Sequence, residues 1–345
     1  MKLFFSLVAL LFWPTCLAHL SSVAGAASAR LHPKAAIAAR PAAHLGLPQR
    51  SGQAIVQLRD LKLPQPQVQG QATLPMQYLA NSRSFTVNLT VGGQTGKFVL
   101  DTGASTTLVS SKWVQQLGLK GEAIPREKFD LAMAGDDCPA LSADLHRLPP
   151  LAIAELRVAE LRALEFSKAI MPEGISGILG MNFLSHFDLK VNPQRLQLNL
   201  LPKTALSSAP TAIPLQSKLG VMLAKVNVNG QGPFTFLLDT GADSVFISQG
   251  VAKQLKLDAV PREALKVLGF CGLEAAERLT LNQVELGQHR QANLEGIILS
   301  SPMLSQMQVD GILGQEFFNH YQQNWQFSGV GSPQGKGSLL LTPIF

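Results

Sequence analysis

Two aspartates carry the chemistry open to this sequence. Each begins the same tetrapeptide, Asp101-Thr102-Gly103-Ala104 and Asp239-Thr240-Gly241-Ala242, and 138 positions separate them. Each follows an apolar, strand-like run, Lys97-Phe98-Val99-Leu100 or Thr235-Phe236-Leu237-Leu238. More apolar β-formers come after, Leu108-Val109 and Phe246-Ile247. An acidic residue at the end of a buried strand needs a partner to share its burden. Two of them at equivalent places in a duplicated unit point to each other. Carboxyls a few ångströms apart cannot both ionise cheaply, so they hold one proton between them. The ionised member can take a proton from water while the protonated one polarises a carbonyl, which is what amide hydrolysis without a metal or covalent nucleophile requires. Such a pair titrates as a unit. Gly103 and Gly241 let the backbone turn tightly beneath each carboxyl and present N–H groups to it. Thr102 and Thr240 can cross-bond to the opposite strand, fixing the two loops in register on rigid elements.

The elements that must position these residues are duplicated too. At the offset of 138, Phe98 to Leu108 lies over Phe236 to Phe246, and Leu117 and Leu119 fall on Leu255 and Leu257. Ile124-Pro125-Arg126-Glu127 matches Val260-Pro261-Arg262-Glu263 at 136, and Gly177-Ile178-Leu179-Gly180 matches Gly311-Ile312-Leu313-Gly314 at 134. The shrinking offset marks short loop deletions in the second copy. Two copies are too few for a solenoid, so two lobes around one cleft are expected. Val91-Gly92-Gly93 and Asn229-Gly230-Gln231-Gly232 read as hairpin turns rather than phosphate loops, since no Lys-Ser/Thr follows.

The composition, 46% hydrophobic and 15% charged over 345 residues, suits two compact β domains. The net charge of +6 does not implicate the cleft: residues 73–345 hold 22 basic and 22 acidic side chains. The excess comes from Lys2 and from 19–72, where six basic residues face Asp60 alone. That stretch lacks interleaved aromatics, so no nucleic-acid partner is expected. The seven histidines are scattered, none at metal-ligand spacing, and neither metal nor cofactor is expected. Lys2, the apolar run Leu3 to Trp13 and the small-residue sites after it read as a signal peptide over 1–26. Export to the periplasm or outside the cell follows, with no membrane span once the signal is removed. Residues 27–72, rich in Ala, Pro and Gln, read as a flexible linker or a propeptide. The remaining boundaries are an N-terminal lobe over 73–204, a hinge at 205–211 and a C-terminal lobe over 212–345.

Both halves resemble retropepsin-type aspartic protease units, and the chain is similar to a fused, single-chain version of the retroviral protease dimer. Phe85 to Leu119 and Leu223 to Leu257 carry this most clearly, as strand, aspartyl loop, strand and short helix (Ser110 to Leu117; Ser248 to Leu255). The Gly-Ile-Leu-Gly repeats resemble the strand that passes behind the catalytic loop, with helices following at Asn182-Phe183-Leu184 and Glu316-Phe317-Phe318. The likeness covers about 270 of the 345 residues. It implies an all-β fold of two lobes related by a pseudo-two-fold axis, in a monomer, and an aspartic endopeptidase with Asp101 and Asp239 as the dyad. Thr102, Gly103, Thr240 and Gly241 would support that dyad. Ala104, Ala242 and Asp243 would contact a polypeptide substrate, Asp243 resembling the position that accepts a substrate backbone N–H. Its counterpart is Ser105. The rival expectation is a peptide-binding or assembly protein that keeps the fold without turnover.

The first copy departs from the family pattern. Ala134 to Pro150 is enlarged and irregular where a flap is expected, and Leu156 to Phe166 shows Arg and Glu at helix-like spacing where strands are expected. The second flap would run through Val267-Leu268-Gly269-Phe270 to a tip at Cys271-Gly272. After signal removal Cys138 and Cys271 remain, one in each flap region. They either join as a tether across the lids or stay as two free thiols.

Overall fold

The computed structural model describes residues 49–51, 55–58, 63–132, 142–167, 171–269, 272–299, 303–332 and 334–344. Residues 1–26, where a signal peptide is expected, and Cys138 and Cys271 lie outside the described residues. The fold is all-β, with two lobes of like construction.

Burial alternates where the sequence alternates. Val87, Leu89 and Val91 of the strand Phe85–Val91 point inward, while Asn88 and Thr90 point to solvent. That strand turns through Gly92-Gly93 into Gln94–Leu100, with φ of +57° and +80°. The second lobe turns through Asn229-Gly230 into Gln231–Leu238, with φ of +51° and +74°. Positive φ at both central positions is what a two-residue hairpin turn matched to strand twist demands. Each second strand ends at an Asp-Thr-Gly-Ala loop. Beyond each loop come a short strand, Leu108–Val109 or Val245–Ile247, and a helix, Ser111–Leu117 or Gln249–Gln254. The helices start where they do because Ser110 and Ser248 cap them, each hydroxyl accepting from the backbone N–H three residues on.

The Gly-Ile-Leu-Gly repeats form the strands Gly177–Leu179 and Gly311–Leu313. Each runs parallel to the strand entering its aspartyl loop and antiparallel to the strand leaving it. Asp101 N–H thereby donates to Leu179 O (3.3 Å) and Asp239 N–H to Leu313 O (3.0 Å). The glycines are required by closeness. A Cβ on Gly180 would lie 2.6 Å from the Thr106 carbonyl carbon, and one on Gly314 would lie 2.5 Å from Ala242 O. These neighbours are backbone and cannot swing away. Gly314→Ala is therefore expected to cost about 3 kcal/mol, at the upper end of overpacking, read as a lower urea midpoint at unchanged slope.

The lobes share one floor. Six antiparallel strands run in the order Ala72–Tyr78, Gln197–Leu201, Asp188–Asn192, Tyr321–Ser328, Lys336–Pro343 and Ile213–Lys218. The first three come from one lobe and the last three from the other. At the seam Leu189 stands opposite the fully buried Trp325. The apolar core is continuous across this seam, so the two lobes, and the loops they carry, are fixed relative to each other by packing.

Two stretches differ from their sequence pattern. Leu156–Ala159 and Arg162–Phe166 are strands. Of the charges that mimic a helical period, Glu165 pairs across to His146 on the neighbouring strand (2.8 Å), and Glu160, in the turn between the two strands, pairs with Arg147 and Arg162. Within the enlarged flap region Ala143–Arg147 is a regular strand between Glu122–Ile124 and Arg162–Phe166. Strand pairing also reaches upstream of residue 73. Gln67–Gln69 pairs with Leu156–Ala159, Ile55–Leu58 with Phe129–Ala132, and Gln49–Ser51 with Glu263–Gly269. Among the described residues no helix is long and apolar enough to cross a membrane.

Candidate active site

The loops at Asp101 and Asp239 meet over the floor and lock by reciprocal bonds. Thr102 N–H donates to Thr240 Oγ1 and Thr240 N–H to Thr102 Oγ1, both at 3.0 Å. Each hydroxyl then donates across the lobes, Thr102 Oγ1 to Leu238 O and Thr240 Oγ1 to Leu100 O, both at 2.9 Å. All four bonds are buried, so each threonine satisfies its own hydroxyl and a backbone group on the facing strand. Thr240→Val keeps the shape but strips two of these bonds and orphans a buried N–H and a buried carbonyl. The expected loss is about 3 kcal/mol, measured by urea unfolding. Thr240→Ser should recover most of it, since the hydroxyl is what matters.

This lock brings the carboxyls together. A Cβ on Gly103 would stand 2.6 Å from Asp239 Oδ1, so the second carboxyl lies directly against the glycine of the first loop. Asp101 Oδ1 accepts from Gly103 N–H (2.7 Å) and Ala104 N–H (3.0 Å), and Asp239 Oδ1 accepts from Gly241 N–H (2.7 Å). The Oδ2 atoms of both aspartates are buried and have no protein donor among the described residues. One shared proton lets two such carboxyls lie together without a second charge.

The electrostatics agree with that geometry. Asp101 is held well above the ordinary carboxylate range, first by burial and then by the charge of Asp239 and a side-chain bond to it. The N–H groups of Gly103 and Ala104 oppose the shift only partly. Asp239 is raised as well, again by burial, against hydrogen bonds from Asp101 and the surrounding backbone N–H groups. Desolvation disfavours any charge here and mutual repulsion disfavours the second one. The arrangement retains one proton into a pH range where free aspartates have lost theirs.

The other residues expected at the site lie buried in the two aspartyl loops. Ala104 and Ala242 are buried, and their carbonyls accept from Met181 N–H and Gln315 N–H, both at 2.8 Å, tying each loop to the helix behind it. Asp243 faces the other lobe. Its Oδ1 accepts from Ser82 Oγ, from Arg83 N–H (3.0 Å) and from Ser84 Oγ (3.1 Å). Arg83 adds an ion pair to Glu316 (2.8 Å), and Asn319 Nδ2 donates to Arg83 O (3.0 Å). On the opposite side a Cβ on Gly220 would lie 2.8 Å from Ser105 Cβ, and Asn182 Oδ1 accepts from the N–H and hydroxyl of Thr107. The cleft is thus ionic at one interlobe corner and small and neutral at the other. Only the Asp243/Ser105 mismatch signalled this in the sequence; Ser82, Arg83 and Ser84 lie far from any motif.

Among the described residues no cluster of His, Cys, Asp or Glu is arranged to hold a metal ion. Residues 87–183 match the family described as aspartyl protease, and residues 224–320 match that described as gag-polyprotein putative aspartyl protease. No curated protein matches the chain. Each match spans one aspartyl loop and the glycine strand behind it. The chain belongs to the retropepsin-like aspartyl protease family in a tandem form, with both halves on one polypeptide.

Proposed function

We propose that the protein is an aspartic endopeptidase in which Asp101 and Asp239 share one proton and activate one water. The observation that carries this reading is the pair of buried carboxyls, each with an Oδ2 free of protein donors and each raised by burial. In the reaction the ionised carboxylate takes a proton from the water as its oxygen attacks the peptide carbonyl carbon. The protonated carboxyl bonds to the carbonyl oxygen as that oxygen gains charge. Collapse of the tetrahedral species breaks the C–N bond, and the leaving nitrogen takes a proton from the dyad. The dyad returns to its one-proton state with no net gain or loss.

A peptide lying extended across the cleft would pair its backbone with the flap strands, which offer main-chain donors and acceptors. Export of the mature chain and action as a monomer belong to the same proposal, since both aspartates lie on one polypeptide. A peptide binder without turnover gains nothing from two carboxyls buried together and both held above their ordinary range. The test is hydrolysis of a denatured protein mixture by the purified chain, with and without pepstatin, across pH. Both shifts are upward, and neither loop offers a hydroxyl at Ala104 or Ala242 to favour the ionised form. Activity should therefore peak in mild acid and be blocked by pepstatin. A peak near pH 2, or no hydrolysis at any pH, overturns the reading.

A further inference from the structure

The lobes differ in the connection that each sends towards the other's aspartyl loop. In the first lobe six residues, 79–84, join the strand Ala72–Tyr78 to Phe85–Val91. In the second only Leu219 and Gly220 join Ile213–Lys218 to Val221–Val228. The long connection fills the corner beside Asp243. Ser82, Arg83 and Ser84 bond to its carboxylate, and Ser84 Oγ also donates to Gly241 O (2.9 Å). Behind them Arg83 pairs with Glu316 and accepts from Asn319, which closes the space next to the helix. The cavity at this corner is lined by residues 78–83 and Asp243 and reaches neither Glu316 nor Asn319.

The short turn leaves the related corner open. Asn182 N–H donates to Ser105 O (3.1 Å) as Glu316 N–H donates to Asp243 O (2.9 Å). Ser105 and Asn182 therefore stand where Asp243 and Glu316 stand in the other lobe, and Ser185 takes the place of Asn319 at the offset of 134. The turn meets Ser105 with Gly220, whose φ is +79° and where a Cβ would lie 2.8 Å from Ser105 Cβ. No side chain can enter from there. The result is a cavity of about 420 Å³ whose lining includes Ser105, Thr106, Asn182, Ser185 and His186, with Leu63 to Pro66 forming another wall.

Both carboxylates of the first corner are replaced here by neutral groups, and no acid is among the described lining. The hydroxyls of Ser105, Thr106 and Ser185 and the imidazole of His186 can all donate hydrogen bonds. The charge acting on His186 is that of a cation, Lys203, itself beside Asp188. An incoming oxygen acceptor finds donors in such a wall. An aliphatic side chain would leave them unpaired, and an ammonium would lose its water with no anion to replace it. Ser105 and Thr106 follow Asp101 on the same loop, so the cavity lies along the cleft to one side of the dyad. An extended peptide sends alternate side chains to one face and can present one there.

We propose that this corner is an outlying subsite that takes a substrate side chain ending in a carboxylate or amide oxygen, Glu or Gln, on one side of the scissile bond only. The inference rests on the endopeptidase reading above and adds a direction to the cleft. The filled corner at Asp243 offers no matching subsite, so a substrate with one such residue binds in one orientation.

The test uses peptides of one sequence in which each position in turn is Glu, Gln, Leu or Lys. At a single position on one side of the cut, Glu and Gln should exceed Leu and Lys about tenfold in kcat/KM. Ser105→Asp gives this loop the acid of the other one and should reverse the order at that position, Lys then exceeding Glu about tenfold. A gain for the Lys peptide is a result that misfolding cannot produce. If Ser105→Asp does not fold, as judged by near-ultraviolet circular dichroism, His186→Leu takes its place and should lower the ratio of Glu to Leu rates at the same position. Equal rates for the four residues at every position overturn the subsite, as does a preference that neither variant moves. Binding of the Glu and Lys peptides to the Asp101→Asn chain, measured by calorimetry, separates the two readings. A Glu preference in binding that Ser105→Asp reverses, with no hydrolysis by the wild-type chain, leaves the subsite standing and removes the endopeptidase reading. Binding without preference removes the subsite.

Discussion

Replacing Asp101 or Asp239 by Asn is expected to lower kcat/KM by at least about 1,000-fold, and replacing both should lower it little further. The two carboxyls share one proton and one water, so neither does half the work. Asn at either place cannot take a proton from water or pass one to the leaving nitrogen, while its amide occupies the same volume. The surrounding lock does not depend on the carboxyls: Thr102 and Thr240 cross-bond through their own hydroxyls and backbone groups. Loss of rate should therefore come without loss of the near-ultraviolet circular dichroism of the folded chain. A single variant that keeps substantial turnover would mean that the aspartates do not form one site.

Much of this site is legible in the sequence because local rules and the global fold agree there. The tetrapeptides, the strand runs before them, the capping serines and the Gly-Ile-Leu-Gly repeats each have a local signature, and the duplication lets one copy check the other. The close approach at Gly180 and Gly314 shows why those glycines recur, something the sequence displays but does not explain. Other parts are not legible because nothing local determines them. Gln49–Ser51 and Ile55–Leu58 have no sustained period, and they become strands because two flap edges lie open beside them. Arg162 and Glu165 suggest a helix by spacing alone, whereas Glu165 pairs across the sheet with His146 and Arg162 with Glu160 in the adjoining turn. The anchoring of Asp243 depends on Ser82 and Ser84, about 160 positions away, a separation no motif spans.

The dyad should also leave a mark on stability that needs no substrate to read. Both carboxyls are raised by burial in the folded chain and titrate near their ordinary values when unfolded. For an acid raised on folding, the native state binds the proton more tightly. The stabilisation is complete below the unfolded pKa, near 4, and is lost as pH rises through the folded value. The wild-type chain therefore carries its heaviest burden at neutral pH, where a buried charge must be held. Asp239→Asn removes one ionisable group and keeps the Oδ1-type acceptor for Gly241 N–H. Its stability at pH 7 should exceed that of wild type by about 3 kcal/mol, the equivalent of roughly two pKa units. Asp101→Asn should behave likewise, since the same burial acts on it. The gap should close as pH falls towards 4, because the native carboxyls are then protonated and about half of their unfolded counterparts are too. Urea unfolding of the three proteins at pH 7, 5.5 and 4 reads this directly. Asn variants that are less stable than wild type at pH 7 would show that the ionised dyad is held by favourable bonds rather than against its desolvation. The proton-sharing argument would then lose its physical basis. A gain at pH 7 that vanishes in acid would mean that the protein gives up stability to keep two carboxyls buried together, the trade expected where catalysis needs a strained group.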